Sequence, residues 1–170
     1  MRILARLFLA LVLFATLSSC GYRLLDREAP LEFSSIHVSA VRNSTSEPNL
    51  EDYLHQGLVE ELLLDRRVSV VDGEAADVVL ETTIVSFHLQ ATVVTDNYAS
   101  TYDIRMEADF RLVDRRSGKV IRTMDHISAP IKTSFDVTKK SFDALASQEK
   151  AEKDACRSLA RQVINRALLK

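Results

Sequence analysis

Glycine and proline are scarce in this chain, 4 and 3 among 170 residues, and cysteine occurs only twice. That scarcity excludes a collagen, a mucin and a low-complexity tail. Neither sign of charge dominates, because 22 Lys and Arg stand against 24 Asp and Glu for a formal charge of −2. No polybasic surface is left for nucleic acid. Catalytic signatures are missing as well: no His-Glu-x-x-His, Gly-x-Ser-x-Gly, phosphate loop or paired Cys-x-x-Cys occurs. His37, His55, His88 and His126 stand singly on four different predicted elements, without the spacing of a metal site. The expectation is therefore a non-enzymatic binding or assembly protein with no metal. With 46% apolar and 27% charged residues, the composition is that of an ordinary globular protein, and the length suits one domain.

The first residues break the average. Arg2 and Arg6 precede the apolar run Leu7 to Ala15, and Thr16, Ser18 and Ser19 end it well short of the ~20 residues a spanning helix needs. This is the pattern of an export signal. Leu17-Ser18-Ser19-Cys20 then places two small residues before a thiol and resembles the lipobox of bacterial lipoproteins. That resemblance implies cleavage between Ser19 and Cys20, an S-diacylglycerol on the Cys20 thiol and an N-acyl group on the new terminus. Such a lipid, the only covalent group expected and no soluble cofactor, exceeds the two-signal requirement for stable membrane anchoring. The competing reading is a plain secretory signal with Cys20 paired to Cys156 in a disulfide. Gly21, in place of an Asp that would favour inner-membrane retention, points to the outer membrane. Loss of residues 1–19 removes two Arg and no acid, so the formal charge moves from −2 to −4. Any anionic ligand must then rely on a local basic cluster.

The mature chain divides into a lipidated tether at 20–35 and one domain at 36–170. Ile36 to Val41 alternates as a half-buried strand. Leu50, Tyr53, Leu54, Leu58 and Leu62 repeat at helical spacing over about 50–64, with Asn49 as the expected N-cap. Gly57 on that stripe predicts a close approach to a sheet. A short strand at Val68–Val71 and a long one from Ala76 to Val94 follow. The long strand changes parity, since Val78, Leu80 and Ile84 share one face while Val85, Phe87, Leu89, Ala91 and Val93 share the other. A bulge near 84–86 is predicted.

Tyr102 to Leu112 is the cleanest pattern, apolar residues alternating with Asp103, Arg105, Glu107, Asp109 and Arg111. Residues 96–100 read as a hairpin loop, and 114–119 as a turn with Gly118 in the left-handed position. Val120 to Thr133, with Pro130, reads as an edge strand. A second helix, predicted over 142–169, carries Ala155, Leu159, Ala160, Val163, Ala167 and Leu168 and buries Cys156; its more polar stretch 142–150 forms a frayed or separate turn. The fold class expected is α+β, a mainly antiparallel or mixed sheet of about four to five strands with two helices packed on one face.

Cys20-Gly21-Tyr22, Val41-Arg42-Asn43-Ser44-Thr45, Pro48-Asn49-Leu50-Glu51, Ala76-Asp77-Val78-Val79-Leu80, the Asp114–Lys119 turn and the terminal amphipathic helix follow one another in this order. Together they resemble the LPS-assembly lipoprotein family, LptE, over residues 17–170. The resemblance implies a lipid-anchored protein on the periplasmic face of the outer membrane. It would plug the LptD β-barrel and help insert lipopolysaccharide. Candidate contacts with the barrel lumen or with lipopolysaccharide are Arg105, Arg111, Lys132, Asn97 and Tyr98. Relatives credited with lipid binding present basic residues, whereas this mature chain is net acidic, which favours the plug role over direct binding. The alternative is a periplasm-facing lipoprotein that activates a peptidoglycan synthase or forms part of a secretion assembly.

Overall fold

The structure, a computed structural model, describes residues 31–95, 98–128, 134–136 and 141–169. Its elements in chain order are β1 (Ser35–Val38), β2 (Arg42–Asn43), α1 (Leu50–Asp65), β3 (Ser69–Val70), β4 (Val78–Thr95), β5 (Tyr98–Asp114), β6 (Val120–Ser128), β7 (Ser134–Asp136) and α2 (Ser141–Ala167). The main path of the sheet is β3-β1-β4-β5-β6, with β2 added to β4 and β7 to β5. The sheet is mixed: β1 runs parallel to β3 and β4, and β2 parallel to β4. The long β4, β5 and β6 form an antiparallel meander. An α+β fold with two helices over one sheet face is thus the observed class, extended by the two short strands β2 and β7.

The parity change in β4 is a bulge. Ile84 pairs with Ala108 and Ser86 with Glu107, so Val85 is the extra residue. Before it Val78, Leu80, Thr82 and Ile84 point into the core, and after it the inward row continues through Phe87. One inserted residue keeps both apolar sets on the same side. The hairpin is tighter than the five-residue loop expected, because β4 continues to Thr95 and pairs it with Tyr98. Beyond the next turn, β6 is described over Val120–Ser128, the rest of the expected strand to Thr133 lies outside the described residues, and β7 pairs separately with Thr101–Asp103 of β5. Pro130 lies outside the described residues.

Both helices cover the same side. Leu50, Leu54, Leu58 and Leu62 of α1 join Ala155, Leu159, Ala160, Val163 and Ile164 of α2 and Ile104, Met106, Phe110 and Leu112 of β5 in one core. Two local expectations are corrected. Asn49 does not cap α1 with its side chain; it sits at φ 67° and makes no capping bond. The side chain that ties the α1 entrance is Asn43, whose Nδ2 donates to Glu47 O and to Glu51 Oε2, both at 2.7 Å. Its Oδ1 accepts from Thr45 N and Oγ1, so both ends of the amide are satisfied and the loop is closed around it.

Gly57 does make a close approach, but to the other helix and not to the sheet. A Cβ there would lie 3.2 Å from Ala160 Cβ and 3.4 Å from Arg157 Cα. Sequence periodicity identifies the buried stripe, while the partner of that stripe is a tertiary choice. Finally, α2 is unbroken from Ser141 to Ala167, so the polar stretch at 142–150 belongs to the helix. Its polarity is absorbed by links such as Gln148 Nε2 to Glu152 Oε1 at 2.8 Å and Lys153 Nζ to Glu149 Oε1 at 2.6 Å.

Candidate functional site

With two helices on one side, the other side of β4–β5–β6 is bare among the described residues, and its composition follows from the alternation of β5. Asp103, Arg105, Glu107, Asp109 and Arg111 share the row that points away from the core. Their partners on β4 are Gln90, His88, Ser86, Thr83 and Glu81 in the same order. Only one of those cross-strand pairs joins opposite formal charges, Glu81 with Arg111, whose Oε2 and Nη1 are 3.8 Å apart. In register with Thr83 on its other side is Arg42 of β2. The surface therefore mixes both signs along its length. At ~3.4 Å per residue, Arg105 and Arg111 are about 20 Å apart with two acids between them. They are separate positions, not one basic cluster.

A shallow concavity of about 450 Å³ lies on this face, lined among others by Ser39, Arg42, Glu81, Asp109, Arg111 and Asp125. Its far wall is a second bulge, where Met124 pairs with Phe110 and Ile127 with Ala108, leaving Asp125 and His126 opposite Asp109. His126 holds φ 53°, a left-handed conformation rare for a residue with a Cβ. Asp109 Oδ1 accepts the His126 backbone N–H at 2.8 Å, and the imidazole Nδ1 is 3.4 Å from Glu107 Oε2. Two outward acids thus hold the bulge in the edge strand and interrupt its regular ladder.

Of the residues singled out from the sequence, Arg105 and Arg111 are both exposed on this face. Tyr98 opens β5 opposite Thr95. Ser19, Cys20, Asn97 and Lys132 lie outside the described residues. Pattern reasoning missed Arg42 and the Asp125–His126 bulge. The signal for Arg42 was weak, since a two-residue strand has no periodicity, and the bulge is marked only by the polar break Asp125-His126 before Ile127.

The described histidines are dispersed over β1, α1, β4 and β6. His37 Nδ1 lies 3.3 Å from Val71 O and His55 Nε2 lies 3.4 Å from Val38 O, so each serves a local backbone contact. No group of three or more metal-ligating side chains is found among the described residues. Cys156 is buried with its Sγ 3.8 Å from Leu50 O, and burial, with a lesser push from Glu152, raises its thiol to about 12. A thiol so far from ionisation is not a nucleophile at neutral pH.

Where the chain enters the domain, Asp77 is the anchor point. Its Oδ2 accepts Ser34 N, Ser34 Oγ and Ser35 N at 3.0–3.1 Å, and its own N–H donates to Ser35 Oγ at 2.9 Å. The Ser34 backbone bond, followed by the Ser35 and Ser34 hydroxyls, holds the carboxyl at about 2. A groove of about 680 Å³ beside it is bounded by Leu31, Phe33, Asp77, Arg116, Lys119 and Ile121.

The class defined by this fold and surface is a two-layer α+β domain that presents an open, charged sheet. Solved structures share the architecture. A protein from Xanthomonas campestris matches with a TM-score of 0.57 at 10% identity, covering 82% of this chain and 85% of that one. One from Chlamydia trachomatis gives 0.51 at 12%, covering 79% and 95%. Rare lipoprotein B from Shewanella oneidensis gives 0.49 at 16%, covering 76% and 91%. At such identities the first two likenesses are of fold alone. No curated protein matches the chain significantly. The family model of LptE, described as lipopolysaccharide-assembly, matches residues 33–167, and the chain belongs to that family.

Proposed function

We propose that the chain is an outer-membrane lipoprotein, lipidated on Cys20 after cleavage behind Ser19, that seats inside an LptD-type β-barrel and assists insertion of lipopolysaccharide. It acts without catalysis and without a cofactor beyond its lipid. The observation that carries this reading is the bare face of β4–β5, a polar surface of both charge signs on a protein whose apolar side is already spent on its own helices. A water-filled lumen lined by polar side chains is the environment such a face suits. An apolar partner surface would have to leave Arg105, Glu107, Asp109 and Arg111 desolvated, which is costly.

Residues proposed to meet the lumen are Arg105, Arg111 and Tyr98, with Asn97 and Lys132 from the same hairpin and the segment after β6. The test is purification of the full-length protein from detergent-solubilised outer membranes. A 1:1 complex with a large, heat-modifiable β-barrel is expected, weakened by Arg105→Glu with Arg111→Glu. Recovery of a peptidoglycan synthase, or of a homo-oligomer alone, overturns the reading.

A further inference from the structure

The bare sheet face is one exposed surface; the end of the domain where the tether enters is another. Several elements finish or begin there. Arg67, just after α1, donates from Nη1 to Leu168 O, and Arg122 of β6 donates from Nη1 to Arg166 O at 2.8 Å, which brings the last turns of both helices to the start of β6. β1 begins there too, in register with Val78 at the start of β4, and β4 in turn pairs Val78 with Asp114. The tether entry at Ser34 is bound to this same end through Asp77, whose Oδ1 is 3.9 Å from Arg116 Nη2.

Four of the six large apolar side chains exposed among the described residues lie at this end, Leu89 and Leu145 being the other two. Leu63 is 61% and Leu64 72% exposed in the last turn of α1, with Leu169 exposed just beyond α2 and Ile121 exposed near the start of β6. Cations share this end: Arg66, Arg115, Arg116 and Lys119 are all exposed. Of the acids nearby, Asp65 is bridged to Arg67 at 2.6 Å, Asp77 is held by two serines, and Asp114 accepts the Ser117 N–H and hydroxyl at 2.7 Å. Glu32, Asp72 and Glu74 are exposed as well, and the serine-held Asp77 and Asp114 keep their charge, so the end carries both signs. Exposed leucines with cations at the same end suit a surface that lies in a lipid headgroup layer, the apolar groups entering and the cations meeting phosphates.

We infer that the tether end of the domain is a membrane-docking surface, with Leu63, Leu64 and Leu169 entering the headgroup region and Arg116 and Lys119 meeting lipid phosphates. The occupant is the leaflet that holds the Cys20 lipid, so the inference rests on the lipidation reading, though not on the barrel. Eleven peptide steps separate Cys20 from Leu31, which span at most about 37 Å when fully extended. The 18-residue β4 carries the hairpin tip about 60 Å from this end. A short leash therefore concentrates the leucine-bearing end, and not the hairpin, at the lipid surface.

The test uses the full-length protein reconstituted in vesicles of phosphatidylethanolamine with about a quarter phosphatidylglycerol, read by amide hydrogen exchange. Exchange at 62–66 and 115–122 should slow about tenfold relative to detergent, while 105–111 is unchanged. Leu63→Ser with Leu64→Ser, and separately Arg116→Glu with Lys119→Glu, should abolish that protection. Equal exchange in vesicles and detergent overturns the proposal, as does protection that follows protein concentration, which marks a second copy as the occupant, or that requires an added barrel. The mass of the Cys20 peptide reports acylation independently. If Cys20 is unmodified, sedimentation of the same chain with these vesicles decides: loss of binding in the charge-reversed variant upholds the surface, and no binding by the parent chain overturns it.

Discussion

Strand β5 carries two surfaces that obey different rules. On the helix side Ile104, Met106, Ala108, Phe110 and Leu112 are all buried in the core. On the other side Arg105, Glu107, Asp109 and Arg111 stand on a face that neither described helix covers, and the ion pair of Arg111 with Glu81 spans 3.8 Å between half-exposed groups. Neighbours in the chain thus differ in what they do: the covered row supplies stability, and the uncovered row is free to be tuned for a partner. The same division separates the helices, since α1 and α2 are pressed together at Gly57 and Ala160 while their outer faces carry pairs such as Arg161–Glu61 at 3.1 Å and Arg157–Glu60 at 3.6 Å.

That contrast can be broken most severely at Phe110. Replacement by Ala should cost about 3–5 kcal/mol, read by urea unfolding with an unchanged slope, because a fully buried ring leaves a cavity between sheet and helices. Gly57→Val attacks the helix layer that creates the covered side. Its first carbon already stands 3.2 Å from Ala160 Cβ, so separation of α1 from α2 should cost about 1–3 kcal/mol, visible in Tm. Thr82→Val sharpens the comparison from the opposite direction. Thr82 is a polar intruder on the covered face with Oγ1 buried and no hydrogen-bond partner among the described residues, so removal of the hydroxyl should stabilise by about 1 kcal/mol in the same unfolding experiment.

A smaller effect, and one tied to pH, is expected at the sheet end. Asp77 has a folded value near 2 against an ordinary 3.8. The folded state therefore favours the ionised form. Its stabilisation is complete above about pH 4 and is lost as the pH falls toward 2; Asp77→Asn should flatten that part of the stability–pH curve. Least of all is expected from Arg111→Ala, a change under ~0.5 kcal/mol in unfolding, since an exposed pair is screened by water and salt. If Arg111→Ala proved as costly as Phe110→Ala, the division between the two faces would fail.

Much of this architecture was legible because its signals are local. The alternation from Tyr102 to Leu112 predicts β5 and both of its faces, and the parity change near Ile84 predicts the Val85 bulge, since a slip of one residue would have put half of β4 on the wrong side. The stripe of α1 was equally plain. By contrast β2 and β7, two and three residues long, exist only because β4 and β5 offer unpaired edges; no periodicity exists in so few residues. The candidate surface divided in the same way. That Arg105 and Arg111 face outward follows from period two, while the pairing of Arg111 with Glu81, the arrival of Arg42 opposite Thr83 and the bulge of the edge at His126 are long-range pairings.

The amino-acid sequence alone determined which residues are buried, where helices and long strands run, and which strand face stays wet, because side-chain direction repeats with the backbone period. Tertiary structure alone decided what each stripe packs against. Gly57 meets Ala160 of α2 instead of the sheet, Asn43 replaces Asn49 as the tie at the α1 entrance, and Asp77 fastens the chain entry to the end where both helices finish. The physical reason is that burial requires only some apolar partner, whereas the identity of that partner is set by the register and shape of elements far apart in the chain.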